Sequence, residues 1–162
     1  MKSIKLVAFS AFLTISAFCA VLYTSCTKDA CKNVTCLNGG TCSGGNCTCP
    51  TGYEGTTCQT KSRDKFVGTY LGSEICNVGT DNYSIVLAAG SADLSLTYSN
   101  LYNEAFTANC TMVATDSFSF SGTQSGATFS GTGRLVTNTL TVHYTIVSAT
   151  SVSNTCVFTG TK

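Results

Sequence analysis

The chain is predicted to be mainly β, with a small disulfide-rich module followed by an antiparallel meander of about eight strands, closed as a barrel or folded over as a sandwich. Three observations carry this. Of the 162 residues 11 are cysteine, and six of these fall between Cys31 and Cys58. Serine and threonine account for 46 residues, and such short or β-branched side chains favour strands and turns over long helices. From Phe66 onward apolar residues recur with a period of two. The same composition excludes other classes. With 43% hydrophobic residues and a net charge of +1 the chain has the means to bury a core, unlike a disordered polymer. It also lacks the clustered Lys and Arg that binding phosphates requires, so nucleic acid is not expected as a partner.

The first element is an export signal, residues 1–25. Lys2 and Lys5 make a short basic start, and Leu6 to Ser25 carries no charge across residues such as Phe9, Leu13, Ile15 and Leu22. The stretch is long enough to span a bilayer, so an uncleaved anchor stands as the alternative. Thr24 and Ser25 before Cys26 resemble the lipobox of bacterial lipoproteins, in which the cysteine is acylated and becomes the new first residue. That resemblance implies a lipid anchor at Cys26 and a tether over residues 26–30, with the membrane as a partner through the N-terminal lipid. Lys28-Asp29 resembles the charged tags that send Bacteroidetes-type lipoproteins to the cell surface. Ordinary cleavage nearby would instead leave Cys26 as a thiol or half of a disulfide.

The second element is the six-cysteine stretch at positions 31, 36, 42, 47, 49 and 58. Six cysteines allow fifteen pairings, which spacing alone does not resolve. Twenty-eight residues bury too little to fold unaided, so disulfides must restrict the unfolded state, each contributing about 2–4 kcal/mol. Cys36-Leu37-Asn38-Gly39-Gly40-Thr41-Cys42 and Cys47-Thr48-Cys49-Pro50-Thr51-Gly52-Tyr53-Glu54-Gly55-Thr56-Thr57-Cys58 resemble the epidermal-growth-factor-like (EGF-like) module. The resemblance covers 31–58 and implies the pairs Cys31 with Cys42, Cys36 with Cys47, and Cys49 with Cys58. Some such modules bind calcium through acids before the first cysteine. Here Thr27, Lys28, Asp29 and Ala30 offer one carboxylate beside a cation, where Ca²⁺ takes roughly 6–8 oxygens, so no calcium is expected. Export to an oxidising compartment likewise argues against a zinc-thiolate site.

A charged linker over 59–65 marks the next boundary, since Lys61, Arg63, Asp64 and Lys65 crowd into seven residues while the whole of 66–162 carries seven charges. Beyond it the expected strands are 66–75, 83–89, 93–99, 105–114, 117–121, 127–135, 138–147 and 152–160. Leu140, Val142, Tyr144 and Ile146 alternating with Thr139, Thr141, His143 and Thr145 show the pattern best. Residues 89–91 and 122–126 read as turns, and Gly122 to Gly133 as hairpin punctuation. Short connections favour an up-and-down meander, and closure removes edges that so few charges could not protect.

Phe66-Val67-Gly68-Thr69-Tyr70 resembles the Gly-x-Trp opening of lipocalins, with Tyr70 in place of the tryptophan. That likeness implies a small-ligand barrel, and a barrel filled by its own side chains is the equal alternative. In a closed, even-stranded meander the first and last strands are antiparallel neighbours, so Cys76 and Cys156 should staple the seam. Cys110 falls in phase with Phe106, Ala108 and Met112 and should point inward as a small filler.

Catalytic constellations are not indicated. His143, the one histidine, lies on the Thr-bearing face of its strand without a nucleophile or orienting carboxylate in a recognisable motif. The five carboxylates beyond residue 66 read as scattered over turns and strand ends. No cofactor is expected. Asn33, Asn46, Asn82 and Asn109 stand in glycosylation sequons that matter only in a eukaryotic secretory pathway. The expected function is a non-enzymatic, membrane-anchored surface protein that binds or adheres, its partner a protein, a glycan or a small apolar ligand. The alternative is a lipocalin-like carrier, or an accessory to a surface enzyme or uptake system. Small inward residues around a cavity would favour the carrier, and inward aromatic rings the surface-binding module.

Overall fold

Side chains alternating with a period of two can bury one face of a sheet only if the sheet curls onto itself or meets a second layer. A computed structural model, which describes residues 29–150 and 152–162, shows the first solution. The expected signal segment, with Cys19, and the expected lipidation site Cys26 lie outside the described residues. The chain begins with a short hairpin of β1 (Thr41–Ser43) and β2 (Asn46–Thr48), followed by β3 (Tyr53–Glu54), which pairs with β4 (Thr60–Lys61). A 3-10 turn over Ser62–Phe66 leads into eight strands: β5 (Gly68–Cys76), β6 (Gly79–Ala89), β7 (Ser95–Leu101), β8 (Phe106–Ala114), β9 (Ser117–Gln124), β10 (Ala127–Val136), β11 (Thr139–Val147) and β12 (Ser153–Thr161). Each pairs antiparallel with the next, and β12 returns to β5, closing the barrel.

Four disulfides are present. Cys31–Cys42, Cys36–Cys47 and Cys49–Cys58 hold the first 30 described residues, and Cys76–Cys156 joins β5 to β12 where those two residues stand opposite each other in register. Cys110 is buried and unpaired among the described residues, and burial pushes its thiol up to about 12.

The inside of the barrel is filled. Tyr70, Tyr98, Phe118 and Phe158 are fully buried, and Phe120 touches the rings of Phe118, Phe129 and Tyr144 at centroid distances of 6.2–6.4 Å. Rings of this size fit because glycine stands opposite them. A Cβ on Gly133 would lie 2.2 Å from Phe118, and one on Gly122 would lie 2.7 Å from Phe129. Gly122 and Gly133 are thus inward positions within β9 and β10, and this corrects the expectation that they punctuate a hairpin. The turn is the pair Ser125 and Gly126, both at positive φ (53° and 78°), which suits a tight two-residue hairpin.

Other strand limits shift for similar reasons. Residues 62–66 form the 3-10 turn, so β5 starts at Gly68 and not at Phe66. Ser95 Oγ accepts from the Ala92 amide, which holds 91–94 as a turn and delays β7. β6 begins at Gly79, four residues earlier than expected, because the polar run Gly79–Asn82 pairs with the end of β5.

The barrel end that carries Gly68 is closed by the 3-10 turn. Phe66 is fully buried and meets Phe118 edge-on at 5.5 Å, and the Tyr70 hydroxyl donates to the Phe66 carbonyl at 2.9 Å. Lys162 donates to the Val67 carbonyl and lies 5.3 Å above the Tyr70 ring. The cysteine-rich segment docks at this same end. Asp93 accepts from Lys61 at 2.7 Å and from the Tyr53 hydroxyl at 3.2 Å, Lys65 pairs with Glu54 at 2.8 Å, and Arg63 donates to the carbonyls of Gly90, Ala92 and Ser95. The charges of 59–65 therefore form a joint.

Candidate functional site

At the opposite end of the barrel the wall is incomplete. β6 pairs with β5 from Gly79 to Leu87, but with β7 only from Val86 to Ala89. Residues 79–85 consequently have no strand partner on that side. Two asparagine side chains span the gap: Asn100 Nδ2 donates to the Ser84 carbonyl and Asn103 Nδ2 to Asp81 Oδ2, both at 2.8 Å. Asn103 belongs to the β7–β8 connection, which holds Tyr102, Asn103 and Ala105 at φ 59°, 52° and 55°. Left-handed backbone outside glycine costs of order 1–3 kcal/mol per residue when the side chain is bulky, and here side-chain bonds hold it. Tyr102 Oη accepts from Asn154 Nδ2 at 2.8 Å, and Asn154 Oδ1 accepts from the Asn77 backbone amide at 3.1 Å.

Beneath this loop lies a depression of about 340 Å³, lined by Glu74, Val78, Asp81, Tyr102, Asn103 and Glu104 among others. Its floor is Glu74, only 3% exposed. One carboxylate oxygen of Glu74 accepts from both the Tyr83 and the Tyr144 hydroxyl at 2.5 Å. These two hydrogen bonds satisfy the buried carboxyl group and offset the cost of taking it out of water. Burial, and then Glu74 itself, raises both phenols above their ordinary range. A third phenol, Tyr98, is raised by its burial and then by the neighbouring Tyr83 and Glu74, and among the described residues its buried hydroxyl has no hydrogen-bond partner.

Glu74 was missed by the reading that scattered the carboxylates over turns and strand ends. The signal was present, since Glu74 is in phase with Tyr70 and Cys76, both of which face inward. Glu74, Cys76 and Cys156 also bring three potential metal ligands within 4.8 Å of one another, but the two sulfurs are joined in a disulfide and offer no thiolate. His143 stands exposed on the outer wall, in a shallow groove with Val113, Arg134 and Val136, and that groove contains no carboxylate. Asp29 accepts from the Cys31 amide at 3.0 Å. Among the described residues no helix is long and apolar enough to cross a membrane.

The fold and site together define a closed eight-stranded antiparallel barrel, plugged at one end and breached beside a buried carboxylate at the other. No protein-family model matches the chain, and no curated protein does. Among solved structures it is similar to a Bacteroides fragilis protein provisionally assigned to the outer membrane, with 15% identity and a TM-score of 0.43 over 62% of this chain and 52% of that one. The chain thus spans about half the length of that neighbour. Likeness at this level leaves function to be argued from the residues of this chain.

Proposed function

We propose that the protein is a non-enzymatic binding lipoprotein of the cell surface, anchored through acylated Cys26, in which an EGF-like module over residues 31–58 carries the barrel. The observation that supports this best is the filled interior. Aromatic rings occupy the space a lipocalin-like carrier would keep for an apolar ligand, which leaves the outer wall and the breached end to meet a partner. The arrangement of the ends fits the same reading. The cysteine-rich segment follows directly on the anchor and docks at the plugged end, so the breached end is the one remote from the tether. The module is held to the barrel by Asp93, Arg63 and Lys65, and so acts as a rigid spacer and not a loose leash.

Fractionation of cells making the full chain tests the proposal. The protein should sediment with membranes and be labelled on intact cells by an impermeant amine reagent, while Cys26→Ala should move it to the soluble exported fraction. Equal membrane association of the C26A form would refute the lipid anchor.

A further inference from the structure

The β7–β8 connection lies over the breached end and is held there differently from the strands around it. Asn100, Tyr102, Asn103 and Ala105 all have left-handed backbone, at φ 67°, 59°, 52° and 55°. None of residues 102–105 is buried, and among the described residues their one backbone–backbone bond, from the Glu104 amide to the Leu101 carbonyl, closes the segment's own turn. Its hydrogen bonds to the barrel run through side chains. Asn154 Nδ2 donates to Tyr102 Oη from β12, and Asn103 Nδ2 donates to Asp81 on β6. Asn100 clasps the base, its Nδ2 donating to the Ser84 carbonyl and its Oδ1 accepting from the Ala105 amide at 3.2 Å. We propose that Tyr102–Ala105 is a hinged strap that closes the breached end and swings away as one unit, joining the two depressions it separates.

The second depression, of about 260 Å³, is lined by Val78, Phe106, Ala127, Ile146 and Val152 among others. Tyr102 and Glu104 line this one and the depression over Glu74 alike, so the segment is the wall between them. A strap of this kind needs two states close in free energy, and the opposing contributions here are both modest. Left-handed backbone disfavours Tyr102 and Ala105 in the closed state, because the Cβ crowds the following carbonyl, whereas asparagine tolerates that region. The side-chain bonds that favour closure are exposed or half-buried, so water replaces them at little loss. No ladder adds to them, since residues 79–85 of β6 pair with β5 alone. The hinges are Asn100 and Ala105, the first and last left-handed positions, and the first falls at the irregularity in β7–β8 pairing between Ser99 and Leu101. The neighbouring β9–β10 hairpin turns on Ser125 and Gly126 alone and has no segment free to swing. Opening would bare Phe106, Ala127 and Ile146 on one side and Glu74 on the other, giving this end a gated recess where the other end has a fixed plug.

This goes beyond the binding role proposed above and depends on neither the anchor nor a partner. Native-state hydrogen exchange of the full exported chain, in non-ionic detergent and over a range of denaturant that leaves the barrel folded, tests it. The Glu104 and Ala105 amides, both bonded in the closed strap, should share one opening constant, with a denaturant dependence far smaller than that of global unfolding. Tyr102→Phe removes only the acceptor for Asn154, a bond that Ala105 does not make. In a strap that moves as one unit it should nonetheless raise the opening constant at both amides, by about fivefold. Ala105→Gly relieves a left-handed position and should lower the constant at both. Different opening constants at the two amides, a response to Tyr102→Phe confined to one of them, a higher constant in Ala105→Gly, or exchange only through global unfolding would overturn the proposal.

Discussion

Tyr70, Tyr83, Tyr98 and Tyr144 are buried in the barrel, and burial raises each phenol above its ordinary value of 10.0, Tyr70 to about 12. In the unfolded chain the same groups ionise near 10.0, so above that pH the unfolded state releases protons that the native state keeps. Native stability from these groups is therefore complete below the unfolded value and is lost as pH rises toward the folded ones. Unfolding free energy from urea titrations should be level up to about pH 9 and fall beyond it, with phenolate absorbance of the buried rings appearing only as near-ultraviolet circular dichroism disappears. Ionisation of these four tyrosines in a still-native protein would contradict this. Cys110, pushed up to about 12, acts in the same direction. At this scale the sequence is half legible. The inward phase of Glu74 can be read from Tyr70 and Cys76, but nothing local tells that Tyr83 and Tyr144, nine and 70 positions away, converge on one of its oxygens.

At the scale of elements the period-two pattern carried most of the information, because each of the eight strands has one wet and one dry face. Their order and closure followed from short connections and from the need to remove edges. What the pattern hid was the length of β6. Gly79–Asn82 has no buried position, and it is a strand only because β5 is there to pair with it. Gly122 was misread for a related reason, since a glycine under a phenyl ring and a glycine in a turn look alike until the ring is placed. The seam is an element-scale device. Cys76–Cys156 links residues 80 apart, joining the first and last barrel strands, so it restricts nearly the whole unfolded domain. Replacing both residues by alanine should lower unfolding free energy by about 2–5 kcal/mol, measured by denaturant titration against the oxidised parent. An unchanged midpoint would show that the strand pairing of β5 with β12 suffices without the staple.

For the whole molecule, charge and closure are arranged along one axis. The cysteine-rich segment, the 3-10 plug and both barrel cations, Arg134 and Lys162, gather at one end together with Asp93 and Asp116, while Glu74, Asp81 and Glu104 lie at the other without a cation among them. This polarity was not legible from a net charge of +1, which averages over both ends. The barrel interior is core, which leaves its surface to the recognition proposed above. Titration of the folded protein with a fluorescent fatty acid tests it most directly. A filled barrel predicts no saturable uptake, with the probe remaining in its aqueous or micellar state at every protein concentration. Saturable binding at one site per chain, lost on competition with an unlabelled fatty acid, would show an interior cup and contradict the account.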